Sequence, residues 1–197
     1  TALKESNRSI TLLGRKLILD NHGLPSNIQT FFTPEMTELS SVPNNILAAP
    51  IKFVIETETG TEELKPISFS YISKTAGSIR WTAVSASQGI KLEVTGSLEF
   101  DGFVAYQVKL SATENIKVKD ISMILPFNKE AGVYMMGLGQ KGGYRPSSFY
   151  WKWDVANKNQ DGAWIGNVNA GLQFSLRDEK YIRPLNTNFY LQKPLLL

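Results

Sequence analysis

Between Ile90 and Ala112 the chain has little choice of secondary structure. Ile90, Leu92, Val94 and Leu98 alternate with Lys91, Glu93, Thr95, Ser97 and Glu99; beyond Asp101-Gly102 the apolar set is Val104, Tyr106, Val108 and Leu110. Strict alternation marks strands with one buried face, because successive side chains point to opposite sides. The connection is constrained as well. A two-residue Asp101-Gly102 turn would pair Phe100 with Phe103 and set apolar residues of one strand against polar residues of the other. A three-residue loop, Phe100-Asp101-Gly102, instead sets Leu98 opposite Val104, Gly96 opposite Tyr106, Val94 opposite Val108 and Leu92 opposite Leu110. It also brings Glu93 opposite Lys109 as an opposite-charge pair. Such a loop ends in a left-handed residue, which suits Gly102.

The rest of the chain repeats this grammar. No stretch holds a helical period; short apolar runs alternate with Gly, Asn, Asp, Ser and Pro. Ser9 to Leu19 reads as one strand, followed by the turn-rich Asp20-Asn21-His22-Gly23-Leu24-Pro25, and Ile28 to Phe32 as a second. Thr33 to Ala49, with Pro34 and Pro43 inside it, reads as irregular. Ile51, Phe53 and Ile55 and then Ile67, Phe69 and Tyr71 read as a hairpin turning at Thr59-Gly60-Thr61. Further strands are expected at Val118 to Leu125, Val133 to Gly137, Phe149 to Trp153, Ala163 to Val168, Gly171 to Leu176 and Asn188 to Gln192. About a dozen strands exceed an immunoglobulin-type module and point to an all-β, two-sheet antiparallel β-sandwich, jelly-roll-like or larger. At 197 residues the whole chain, 1–197, fits a single domain of this kind.

Composition removes several function classes. There is no cysteine, hence no disulfide, thiolate metal site or thiol nucleophile. Lysines and arginines number 21 but are scattered singly, for a net charge of +3. Nucleic-acid binders concentrate such charge on one face, so no nucleic-acid partner is expected. No apolar run is long enough for a membrane-spanning helix, and no membrane insertion is expected.

Three motifs invite chemistry and read better as turns. Gly137-Leu138-Gly139-Gln140-Lys141-Gly142 matches G-x-G-x-x-G, but Pro146 and a polar stretch follow where the dinucleotide fingerprint needs a helix, so it reads as a flexible β-linker. His22, the sole histidine, sits in a turn and cannot by itself form a multi-histidine metal site. Glycoside hydrolysis requires a carboxyl pair or a carboxyl assisted by the substrate; Asp178-Glu179 is such a pair but lies between two expected strands, as a charged hairpin turn. The acids Glu56, Glu58, Glu62 and Glu63 lack calcium-loop spacing and read as a solvated hairpin tip. No catalytic residue, metal site or cofactor is expected.

Tyr144 to Gly171 is different in kind. It holds three of the four tryptophans and interleaves aromatic rings with amides, acids and bases. Rings that stack on a sugar's C–H face, with planar polar groups for its hydroxyls, make up a sugar-binding surface. Candidate contacts to carbohydrate or to a partner are Tyr144, Arg145, Tyr150, Lys152, Asp154, Asn157, Gln160, Asp161 and Trp164. Alternation turns Trp151 and Trp153 toward the core.

Three blocks carry a family likeness: Gly96-Ser97-Leu98-Glu99-Phe100-Asp101-Gly102; Met136-Gly137-Leu138-Gly139 with Gly142-Gly143-Tyr144-Arg145-Pro146; and Trp151-Lys152-Trp153-Asp154 with Trp164-Ile165-Gly166-Asn167-Val168-Asn169-Ala170-Gly171-Leu172. In this order they resemble the N-terminal β-sandwich domain of glycoside-hydrolase-like proteins of gut Bacteroidetes, nearest to glycoside hydrolase family 123. The resemblance implies a sandwich ahead of a (β/α)8 barrel. In that family the barrel carries the adjacent Asp-Glu pair and cleaves β-linked N-acetylgalactosaminides with substrate assistance. Asp178-Glu179 does not match those positions. A non-catalytic accessory domain packed on a downstream catalytic domain of the same polypeptide is therefore expected. The alternative is a free-standing carbohydrate-binding module, with glycan as its partner. A periplasmic, cell-surface or secreted location, with a signal peptide removed, goes with either. The abrupt apolar Leu195-Leu196-Leu197 suits a domain cut from a longer protein.

Overall fold

The computed structural model describes residues 1–152 and 162–176. Among these every regular element is a strand. A five-stranded antiparallel meander comes first: β1 (Lys4–Ser6), β2 (Ser9–Leu12), β3 (Arg15–Leu19), β4 (Pro25–Phe32) and β5 (Leu39–Asn45), paired in chain order. β6 (Lys52–Thr57) and the two-residue β7 (Gly60–Thr61) belong to a second sheet, completed by β12 (Val118–Ile124). Between them in sequence, β8 (Lys65–Lys74), β9 (Ser78–Ala86), β10 (Ile90–Glu99) and β11 (Val104–Ala112) form a four-stranded sheet. β13 (Tyr134–Gly137), β14 (Gly162–Gly166) and β15 (Gly171–Ser175) make a fourth, three-stranded sheet. The all-β, sandwich-like class expected from the pattern is observed, with 15 strands in four antiparallel sheets.

The sandwich closes where apolar faces meet. Ile79, Trp81 and Leu98 of the β8–β11 sheet pack on Ile10, Leu12, Leu17 and Leu19 of the first sheet. Further along the same sheet, Leu92 and Val94 meet Leu24, Phe53 and Leu64. A third cluster, Ile46, Leu47, Ile51, Ala131 and Ala170, ties the β13–β15 sheet to the body.

The β10–β11 hairpin has the expected register. Leu98 lies opposite Val104, Gly96 opposite Tyr106, Val94 opposite Val108, Leu92 opposite Leu110 and Glu93 opposite Lys109. The loop closes through Glu99 N–H to Phe103 O and Gly102 N–H to Glu99 O, both 2.9 Å, and Gly102 has φ +95°. Glu93 also bonds its own-strand neighbour Lys91 at 3.0 Å. The hydrogen bond from Lys91 comes first among the causes that hold the Glu93 carboxyl below the ordinary range.

Trp81 occupies the centre. Its ring is fully buried, and its Nε1–H donates to the Gly23 carbonyl at 2.8 Å. Gly96 lies directly opposite on β10; a Cβ there would come within 2.3 Å of the indole. On the other side of Gly96, Tyr106 meets the indole edge-on at 5.8 Å. A small residue between two large rings is a volume requirement.

Several sequence expectations are corrected. Ser9 to Leu19 is two strands, because Leu13-Gly14 turns the chain; Gly14 has φ +63° and the Phe32 ring lies against it. The stretch Thr33 to Ala49 is not irregular throughout, since it contains β5. Pro43 is tolerated there because β5 is an edge strand, where a missing N–H breaks no ladder. The hairpin expected from Ile51 to Tyr71 does not form as such. β6 pairs with only two residues of its own hairpin and with β12, while β8 crosses to pair with β9. Alternation tells which face is buried and is silent on which strand lies alongside. Phe149 to Lys152 are not strand. Trp153 and the strand expected at Asn188 to Gln192 lie outside the described residues.

Gly96→Ala is expected to destabilise the fold by about 2 kcal/mol through overpacking against Trp81. Ser97→Ala, on the opposite face of the same strand, should leave the urea midpoint nearly unchanged. Equal midpoints for the two variants would refute the assignment of Trp81 and Gly96 as the packing centre.

Candidate functional site

The region beyond β13 is built by a tight glycine turn. Gly137 and Gln140 exchange backbone hydrogen bonds of 3.0 and 2.9 Å. A Cβ on Gly137 would stand 2.4 Å from the Gly162 carbonyl oxygen, and its φ is +104°. The G-x-G-x-x-G segment is thus a hydrogen-bonded turn and not an open linker, and no helix follows it. The turn sends residues 143–145 back along β13, where Met135 N–H donates to Gly143 O and Arg145 N–H to Val133 O.

That return path assembles an aromatic platform. Tyr144 lies beside Tyr134, ring centroids 5.2 Å apart and tilted by 36°. Tyr144 is nonetheless 82% exposed, so one face of its ring is open. Arg145 is tied down beside it: Nε donates to Gly132 O at 2.9 Å and Nη1 to Pro146 O at 3.3 Å. The structure thus brings Tyr144 and Arg145 together and adds Tyr134, which the sequence reading had placed only in a strand. Tyr150 is 87% exposed and Lys152 is exposed, while Trp151 is half-buried. Asp154, Asn157, Gln160 and Asp161 lie outside the described residues, as does the Asp178-Glu179 pair.

Trp164 has a different task from the one expected. Its half-buried ring lies on the backbone of its own hairpin: a Cβ on Gly166 would meet it at 2.3 Å and one on Gly171 at 2.7 Å. The neighbouring asparagines also hold structure. Asn169 Nδ2 donates to Phe32 O at 2.7 Å, and Thr30 Oγ1 donates to Asn169 O at 2.7 Å, clamping the β14–β15 turn to β4. Asn167 Nδ2 donates to Glu130 O at 2.9 Å.

A second group resembles a hydrolase triad in composition. His22 Nδ1 lies 2.8 Å from Ser85 Oγ, and Asp20 is close by. The geometry is wrong for nucleophilic catalysis. Ser85 is buried, with no surface for a substrate to reach. Asp20 Oδ1 accepts the backbone N–H groups of His22 (2.8 Å) and Leu24 (3.0 Å) and so holds the loop. Orienting an imidazole would require a bond to its ring. Burial pushes the Asp20 carboxyl above the ordinary range, opposed by these two hydrogen bonds. His22 is thus a turn residue, as the sequence suggested; its bond to Ser85, 63 positions away, is a product of the fold.

A cleft of about 390 Å³ lies beside this loop. Leu24, Ile51, Phe53, Leu64 and Leu92 supply apolar lining, and His22, Lys52, Glu62 and Glu63 supply polar groups. The two acids do not form a working pair. Glu62 and Leu64 are half-buried while Glu63 between them is exposed, so the chain turns them to opposite sides. Among the described residues no three His, Cys, Asp or Glu side chains are placed to hold a metal ion.

The fold defines the class, a β-sandwich-like domain whose polar groups are mostly committed to turns and clamps. The family follows from comparison. A model described as glycoside hydrolase 123, third domain, matches residues 3–197, and the chain belongs to this family. The motif resemblance therefore named the family correctly and its position differently, as N-terminal where the matching model is the third domain. No curated protein and no solved structure matched the chain.

The Asp20 geometry has a pH signature. A carboxyl whose folded-state pKa is raised contributes stability below its unfolded value, and this is lost as pH rises through the folded value. Asp20→Asn keeps an oxygen acceptor for both N–H groups and removes the buried charge. Its melting temperature, relative to the parent chain, should therefore climb as pH rises from the ordinary aspartate range toward neutrality. A difference that is flat with pH, or that falls, would refute the burial argument.

Proposed function

We propose that this domain is a non-catalytic accessory module of a glycoside hydrolase 123 protein, supporting a (β/α)8 catalytic barrel in the same polypeptide. The observation that carries the reading is the fate of the acids and bases. Asp20 and His22 are bonded into a loop, Arg145 to carbonyls, and Glu62 and Glu63 diverge at the one cleft with an apolar lining. Glycoside hydrolysis needs a carboxyl held against the scissile bond, with a second carboxyl or the substrate's own amide opposite. Exposed apolar side chains such as Ile67, Ile72, Leu39 and Val42 add support, since a domain built to pack on another leaves such surface bare. A periplasmic, cell-surface or secreted location fits this reading.

The test compares the full-length parent with a version lacking residues 3–197. Deletion is expected to lower the melting temperature of the remainder, while the purified chain by itself releases no sugar from β-linked N-acetylgalactosaminides. Turnover by the purified chain would overturn the proposal.

A second reading is favoured by the Tyr134–Tyr144 platform, a carbohydrate-binding surface on the same domain. An aromatic ring with an open face, beside an anchored arginine, suits a pyranose ring and its hydroxyls. Calorimetric titration with host and plant glycans should give binding that Tyr144→Ala weakens about tenfold, the effect of losing ~1–2 kcal/mol of ring contact. Silence across all the glycans would remove this reading and leave the accessory one standing.

A further inference from the structure

We infer that the tip formed by the β10–β11 loop and the β2–β3 turn is the anchor by which this domain docks on a neighbouring domain of its own polypeptide. The inference rests on the accessory reading above and names the face that serves it. Phe100, Phe103 and Leu13 are 58, 57 and 55% exposed. Hairpin tips are ordinarily polar, with Gly, Asn and Asp at the turn. Two phenylalanines flanking an Asp-Gly turn, with a leucine on the adjoining turn, have no part in the domain's own core.

The tip is also held rigid, which an incidental surface would not need. Phe100 N–H donates to Gly77 O and Glu99 N–H to Phe103 O, both 2.9 Å. Asp101 Oδ1 accepts the Phe103 N–H at 2.9 Å. Arg15, from β3, donates Nη1–H to Asp101 O at 3.2 Å and so ties the two turns together. Its guanidinium also sits over the Phe32 ring at 5.7 Å. The rings are presented on a pre-ordered scaffold, so little ordering entropy is lost when they are covered.

Size and charge select the occupant. Three side chains fall far short of the roughly 1,200 Å² that a stable interface between free proteins needs. A tethered neighbour works at an effective concentration in the millimolar range, so a small anchor suffices within one chain. The charges at the tip are Arg15 against Glu99 and Asp101, which gives no basic excess to draw an anionic lipid surface.

The experiment is hydroxyl-radical footprinting of the full-length parent, with oxidation corrected for intrinsic side-chain reactivity. Phe100, Phe103 and Leu13 are expected to react as slowly as the buried Trp81, and Ile67 as an exposed residue does. In the same full-length protein, Phe100→Ser with Phe103→Ser should split a shared calorimetric transition into two without lowering that of this domain. Reactive tip residues, with Tyr144 and Tyr150 protected instead, would overturn this inference and leave the accessory reading intact. Full reactivity of every exposed side chain would defeat both. Protection that grows with protein concentration, or that needs anionic vesicles, would assign the tip to a second copy or a membrane and likewise overturn it. If the double variant fails to fold, the footprint of the unmodified protein decides alone.

Discussion

The fold hangs on one indole. Trp81 stands on β9, rests on the bare backbone of Gly96 on β10, meets Tyr106 of β11 edge-on and donates its N–H to Gly23 in the connection between β3 and β4. A buried indole N–H without an acceptor carries a desolvation penalty of about 1–3 kcal/mol. Trp81 therefore goes inside only when the Asp20–Leu24 loop is closed, and that loop is closed by the Asp20 carboxylate on two backbone N–H groups. The two layers are thus coupled through a single donor and its acceptor. A ring laid over glycine recurs elsewhere, with Phe32 on Gly14 and Trp164 on Gly166 and Gly171. In each case the missing Cβ lets a large flat side chain lie against the backbone and exclude water.

This style of construction bears on function. Groups that might have done chemistry are mostly bonded within the fold: His22 to Ser85, Asn169 to Phe32, Arg145 to Gly132. What faces outward is a different set, the open ring of Tyr144, Tyr150, and the phenylalanines of the β10–β11 tip. Such a division suits a domain that makes contacts while another does the hydrolysis, in keeping with its membership of a domain family of glycoside hydrolase 123.

Much of the fold was legible locally. The β10–β11 register followed from alternation and the demands of one glycine, because neighbouring strands joined by a short loop have few ways to pair. The path from β6 was not legible. β6 finds its long partner in β12, on the far side of the four-stranded sheet, and no local pattern encodes a pairing at that distance. β5 was missed because Pro43 signals a break, and its harmlessness depends on an edge position set by the whole sheet. At the candidate site, composition drew attention to the right region but could not sort its rings. Tyr144 and Trp164 have similar neighbours in sequence, yet one lies open on Tyr134 and the other is laid over glycines.

The sequence by itself determined that the chain is all-β, where its best hairpin turns, which faces are apolar and which family its motifs belong to. These are properties of period-two patterning and short-range sterics, and they need no knowledge of distant residues. Only the tertiary structure decided which strands pair across the sheets, that Asp20 holds a loop instead of serving a histidine, and which aromatic rings remain uncovered. Each of those depends on atoms brought together from positions far apart in the chain, where burial and hydrogen-bond satisfaction are settled by the assembled layers.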